Sequence, residues 1–165
     1  MPQIFILTGK IDSGKTSLLD QWIREYRNED LKVAGILAPA IYAGGKKTGY
    51  EIMDIKTGKR RFMAMISEEP GEISIGRFNF FPEAIAEATR ILSELNEEND
   101  LGIIDETGPL ELEGKGLAEG LKEALSHPPK KLIIVVRENL VEKVTKSFRI
   151  ESYKLLNITK TPEKP

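Results

Sequence analysis

The chain has 165 residues, 40% hydrophobic and 30% charged, with a net charge of −2 and a pI near 5.6. That length suits one domain, 1–165, with a sizeable core; no basic excess argues for nucleic acid, and no acidic block suggests a disordered tail. No cysteine is present, so there is no disulfide or thiolate zinc site, and the one histidine, His127, excludes imidazole clusters and Ser–His triads.

Residues 3–8 (QIFILT) are a short apolar run, consistent with a buried strand. The run is far shorter than the ~20 apolar residues of a membrane span and leads straight into a glycine motif, so it is no signal peptide. A cytoplasmic protein is expected. From 15 to 28 the period changes: Leu18, Leu19, Trp22, Ile23 and Tyr26 recur at helical spacing. Residues 32–38 (KVAGILA) read as a second strand, closed by Pro39. Gly44-Gly45 and Thr57-Gly58 are turn signals, and GYEIMDI and KRRFMAMI show rough alternation. Residues 41–66 are therefore expected to be a β-hairpin, or a three-stranded antiparallel excursion.

Pro70, Gly71 and Gly76 mark 67–76 as loop. Residues 83–97 place Ala84, Ile85, Ala88, Ile91, Leu92 and Leu95 on one helical face, with Pro82 at the start, where proline is tolerated. The phenylalanines of Phe78-Asn79-Phe80-Phe81, just before it, are expected in the core. LGIID (101–105) is a third apolar strand, Leu117, Leu121 and Leu125 give a modest helix, and LIIVV (132–136) is another buried strand. His127, before Pro128-Pro129, reads as loop. Leu140 to Phe148 suggest a short helix, YKLLNI (153–158) a last strand, and TPEKP a frayed tail. Strands alternating with helices predict an α/β fold: a mostly parallel sheet with helices on both faces and an antiparallel β-hairpin insertion.

Gly9-Lys10-Ile11-Asp12-Ser13-Gly14-Lys15-Thr16 matches G-x-x-x-x-G-K-[ST] in full. The chemistry needs this spacing. Glycines let the loop wrap closely, so that successive backbone N–H groups face phosphate oxygens, and the following helix adds its positive N-terminus. Lys15 would reach the β- and γ-phosphates, and the Thr16 hydroxyl would ligate Mg²⁺. Gly9 through Thr16, with Ser17 behind them, are thus the expected binding residues for a nucleoside triphosphate. Gly102-Ile103-Ile104-Asp105-Glu106 supplies carboxylates at the end of another strand. Asp105 would face the loop and hold magnesium through water, while Glu106 could polarise the attacking water as general base. Asp105 to Gly108 also fits the D-x-x-G of switch GTPases, but no guanine-selecting N-K-x-D follows. Candidate cations for the developing phosphoryl charge are Lys46, Lys47, Arg77 and Arg137.

Taken together, GKIDSGKTSLL, GILAP, GGKKTGYEIMDIKTG, GRFNFF, DETGPLEL and VVRENL occur in an order that resembles one family. It is that of the small P-loop nucleoside-triphosphatases of the thermophile type, related to the cancer-related nucleoside-triphosphatases. The resemblance covers residues 3 to about 150. It implies Mg²⁺-dependent hydrolysis of ATP, GTP and other nucleoside triphosphates to diphosphate and phosphate, with loose base preference. Thr107 stands where the family usually has Ile, and Thr159-Lys160-Thr161-Pro162 replace an Asn-Arg pair. Sixteen Lys and 20 Glu against two Gln follow the trend of heat-loving proteins.

Two other functions share the loop. A P-loop nucleotide or small-molecule kinase would pass the phosphoryl group to an acceptor, for which the 41–66 excursion has room. Such enzymes usually carry an arginine-bearing lid, and the eight arginines here are scattered. A nucleotide-gated binding module would use hydrolysis only as a timer.

Overall fold

A computed structural model describes residues 1–69 and 71–165; Pro70 lies outside the described residues. The parallel part of the sheet is built from β1 (Gln3–Gly9), β2 (Val33–Leu37), β8 (Leu101–Thr107), β9 (Lys131–Arg137) and β10 (Lys154–Asn157). Between β2 and β8 the chain forms β3 (Ala40–Ala43), β4 (Lys46–Asp54), β5 (Arg60–Ile66), β6 (Ile73–Ile75) and β7 (Phe78–Phe80). Among the described residues all ten strands join one sheet in the order β10-β1-β9-β8-β2-β4-β5-β7-β6, with β3 paired to β4. The sheet is parallel from β10 to β2 and turns antiparallel where Ile36 meets Asp54.

Helices cover both faces, as the strand–helix alternation requires. On one face α1 (Lys15–Asn28) buries Leu19, Trp22, Ile23 and Tyr26 against Phe5, Leu7, Ile103, Ile133 and Val135. On the other, α2 (Pro82–Ser93), α4 (Ala118–Ser126) and α5 (Val141–Ser147) pack over Ile6, Ile36, Ile104, Ile134 and Val136. The alternate residues of β1 thus feed separate cores, which is why the strands read as continuous apolar runs. A four-residue helix, α3 (Pro109–Leu112), follows β8 directly.

The structure corrects the sequence reading in four places. The antiparallel excursion is wider than 41–66: it runs from Ala40 to Phe80 in five strands, and the expected loop contains β6, paired to β7 through Ile73–Phe80 and Ile75–Phe78. The phenylalanines are core only in part: half-buried Phe80 packs against the core, half-buried Phe78 lies against the Tyr50 ring, and Phe81 is 40% exposed. The second helix stops at Ser93, not 97. Asn96 and Asn99 turn the chain there, the Asn99 side chain accepting from the Asn96 N–H and the Asn96 side chain from the Glu98 N–H, an alternative to the helical ladder. The tail is docked on α1. Lys164 pairs with Glu25 and Glu29 and lies over the Tyr26 ring, whose hydroxyl donates to the Pro165 carbonyl.

Candidate active site

β1 and β8 end on the same edge of the sheet with β9 between them, so the loops that follow face each other across one strand. The 9–16 loop leaves β1 at Gly9. A Cβ there would meet Ile158 at 2.2 Å and the Ser13 hydroxyl at 2.9 Å, so only glycine lets the terminal segment close beneath the loop. Gly14, at φ 90°, lies in the left-handed region and delivers the chain into α1. No side chain caps that helix and its first turn holds no acid. The N–H groups of the first turn and the positive end of the dipole are left for an external anion.

Lys15 is 7% exposed. Its ammonium donates to the carbonyls of Gly9 (3.2 Å) and Lys10 (2.7 Å) and to the Ser13 hydroxyl (3.4 Å), lying along the inside of the loop. Thr16 donates its hydroxyl to Asp105 Oδ2 at 2.9 Å, a contact between residues 89 apart in sequence. The same carboxylate oxygen accepts from the Ala38 N–H at 3.0 Å. Burial pushes the Asp105 carboxyl up to about 6; the Ala38 N–H pulls it back, the Glu106 charge pushes it further up, and Thr16 and Lys15 oppose. A buried carboxylate with so little positive charge around it suits a cation beside it.

Glu106 stands next along the lip, and its Oε1 accepts from Arg137 Nε at 3.1 Å, both side chains about 30% exposed. Arg137 is positioned by register: its Cα pairs with that of Gly9 across the β1–β9 ladder, which brings the last residue of β9 to the root of the loop. Lys47 reaches the cleft from β4. Its Nζ lies 2.5 Å from Asp12 Oδ1 and 3.1 Å from the Tyr50 hydroxyl. Burial pulls the Lys47 ammonium down, the bonds to Asp12 and Tyr50 push it up, and the net direction is upward.

These groups enclose a cleft of about 340 Å³, lined by Ile11 to Ser17, Ala38 to Ala40, Tyr42, Lys47, Tyr50, Asp105 and Glu106. Of the four candidate cations, Lys47 lines it and Arg137 touches it through Glu106. Lys46 is exposed at the start of β4 and Arg77 is exposed in the β6–β7 turn, outside the cleft. Sequence reasoning missed the Ala38 N–H, Tyr50, Tyr42 and the Lys47–Asp12 pair. The Lys47–Tyr50 spacing of three hides a shared face: between the rungs Ile41–Gly49 and Tyr42–Lys47 the ladder carries one extra residue, Thr48. That irregularity breaks the alternation on which a strand is read.

The donor set also bears on a metal. Thr16 and Asp105 offer hard oxygen atoms, and among the described residues no group of three or more His, Cys, Asp or Glu could hold a metal ion alone. Such a pair fits Mg²⁺, which keeps several waters and takes substrate phosphates as ligands rather than a full protein cage.

Comparison with known proteins gives the family and the fold. The family model described as NTPase matches residues 4–163. A curated relative from Methanopyrus kandleri, named nucleoside-triphosphatase THEP1, is 30% identical over 152 residues, 92% of this chain and 82% of its own length. One of the same name from Saccharolobus solfataricus is 33% identical, over 81% of this chain and 75% of its own. Among solved structures, a human cancer-related nucleoside triphosphatase superposes with a TM-score of 0.72 at 21% identity, covering 95% of this chain and 88% of that one. THEP1 from the hyperthermophile Aquifex aeolicus gives 0.73 at 19% identity, covering 94% and 90%. At those identities the solved structures speak for the fold alone, an α/β architecture with an open sheet.

Proposed function

This chain belongs to the NTPase family, and from that membership we propose that it hydrolyses ATP, GTP and other nucleoside triphosphates in the cleft between the 9–17 loop and Asp105–Glu106. That it is an enzyme, a nucleoside-triphosphatase, follows from the family and its curated relatives. The finer reading rests on one observation: the Thr16 hydroxyl and Asp105 carboxylate meet at 2.9 Å, with Glu106 beside them on the same lip.

In this reading the N–H groups of Gly9 to Ser17 receive the phosphates, and Lys15 exchanges its loop carbonyls for β- and γ-oxygens. Thr16, directly, and Asp105, through water, would hold Mg²⁺. Bound there, the ion would offset the negative charge of the phosphates as it develops. Glu106 orients the attacking water and takes its proton at a carboxylate oxygen, with Arg137 fixing the side chain. Loose base preference is part of the proposal, as is a cytoplasmic location. No described helix is long and apolar enough to cross a membrane.

A second reading, transfer to a small acceptor, has an observation of its own. Glu106 and Arg137 also line a cavity of about 80 Å³ walled by Tyr50, Met63, Ile75, Phe80 and Leu110, beyond Glu106 from the phosphate cleft. One experiment separates the two. The purified protein is incubated with Mg²⁺ and ATP, GTP, CTP or UTP, with and without a panel of small alcohols, and every phosphorus-containing product is identified. Free phosphate and diphosphate from all four nucleotides, at a rate no alcohol alters, are expected. A phosphorylated alcohol as main product, or no release without an acceptor, would replace hydrolysis with transfer.

A further inference from the structure

The loop expected to receive phosphate carries a carboxylate of its own. Asp12 lies between Gly9 and Lys15, at φ 58°. Its negative charge opposes the potential that Lys15 and the helix N-terminus create for an anion. One cation answers it, from far along the chain: Lys47, on β4, makes the 2.5 Å contact with Asp12. The two differ in setting, the Lys47 side chain being 15% exposed and that of Asp12 54%. Lys47 is also held from behind, by the Tyr50 hydroxyl and by the Tyr50 ring, 5.0 Å from its ammonium. A lysine has three donors, and two are committed here. The third is available on the wall that Lys47 shares with Lys15, Thr16 and Asp105.

We propose that Lys47 is the cation that recognises the terminal phosphate, leaving Asp12 for it when a triphosphate binds. The proposal rests on the reading that the triphosphate lies on the 9–17 loop. Asp12 holds the ammonium while no triphosphate is bound, and competes with the phosphate for it. The exchange favours phosphate, because a terminal phosphoryl group carries nearly two charges and three acceptor oxygens against the single charge of Asp12. A diphosphate lacks the third phosphoryl group and leaves Lys47 where it is. The hairpin of β3 and β4 thereby selects triphosphate over diphosphate, and Lys47 remains beside the equatorial oxygens as their charge develops.

The test compares K47M, D12N and K46M for turnover, for affinity toward a non-hydrolysable triphosphate and the diphosphate, and for Tm. Methionine keeps the stem over Tyr50 and removes the charge. K47M is expected to lower kcat about 10²-fold and to lose most of the preference for triphosphate, with diphosphate affinity little changed. D12N breaks the same ion pair, yet it should tighten triphosphate binding and turn over well above K47M. K46M, exposed and outside the cleft, should behave as the parent. If K47M and D12N lose activity and Tm alike, the pair is a structural tie and the proposal is overturned. Parent-like kcat and affinity ratio in K47M overturn it equally. Should methionine at 47 lower the Tm, K47Q repeats the comparison on the same terms. A K15M variant binding triphosphate as the parent does would overturn both this proposal and the reading beneath it, whereas the Lys47 outcomes bear on the proposal alone.

Discussion

Asp105 and Glu106 are adjacent carboxylates with different surroundings, and the roles proposed for them follow that difference. Asp105 Oδ2 already accepts from Thr16 and from the Ala38 N–H, which leaves it suited to a cation. Glu106 bonds Arg137 through Oε1, so that Oε2 is left for a water. A positioned base contributes ~10²–10⁴-fold, while in the proposed reading binding rests on the loop N–H groups and Lys15. Glu106→Gln should therefore slow hydrolysis by a factor in that range and leave triphosphate affinity nearly intact. The amide oxygen can still accept from Arg137, so the side chain keeps its place. Single-turnover phosphate release, with affinity measured alongside, checks this; a near-parent rate would pass the base role to another group or to the substrate phosphate itself. At this scale the sequence was legible where residues sit at fixed offsets from a strand end, as Lys15, Thr16, Asp105 and Glu106 do. Lys46 and Lys47 could not be separated, because the extra residue Thr48 shifts the alternation after them. Nor could Arg77 and Arg137, since only the pairing of β9 with β1 shows which one stands beside the loop.

Elements that announce themselves by period were read well, and those set by local hydrogen bonds were not. The helix at 15–28 and the strands at 3–8, 101–105 and 132–136 follow from hydrophobic spacing. β6 and β7 have three residues each, too few for a period. Helix α3 is specified by one side chain. Glu111 is 7% exposed, and its two oxygens accept the Gly108 N–H at 2.7 Å and the Leu117 N–H at 3.0 Å, tying the start of α3 to the start of α4. Burial pushes this carboxyl from its ordinary 4.5 up to about 7, although the two N–H bonds pull the other way. With the folded pKa above the unfolded one, the folded chain keeps a proton that the unfolded chain has lost. Stability then falls as pH rises from about 4.5 through about 7 and levels off above. The contribution is on the order of 3 kcal/mol across that window. Urea midpoints between those limits should show a downward slope that is shallower in Glu111→Gln, whatever its pH-independent cost. Equal slopes in parent and variant would contradict the assignment to Glu111.

For the molecule as a whole, fold class was legible and strand order was not. QIFILT, LGIID and LIIVV are alike in hydrophobicity, so nothing in them says that β9 lies between β1 and β8. That order decides the site, because it sets the loop and the carboxylates one strand apart. The molecule also has a larger groove, about 720 Å³, near the N-terminal end of β1, lined by Met1–Ile4 and Ser147–Lys154 with parts of α4. Volume favours that groove; chemistry favours the cleft, where uncapped helix N–H groups, a buried lysine, a hydroxyl and two carboxylates converge. A crystal structure of the protein with Mg²⁺ and a non-hydrolysable triphosphate decides between them. The triphosphate should lie over residues 9–17, with the metal on the Thr16 hydroxyl and facing Asp105 through water. A triphosphate seated in the groove between Met1–Ile4 and Ser147–Lys154, or a metal bound away from Thr16 and Asp105, would contradict the account.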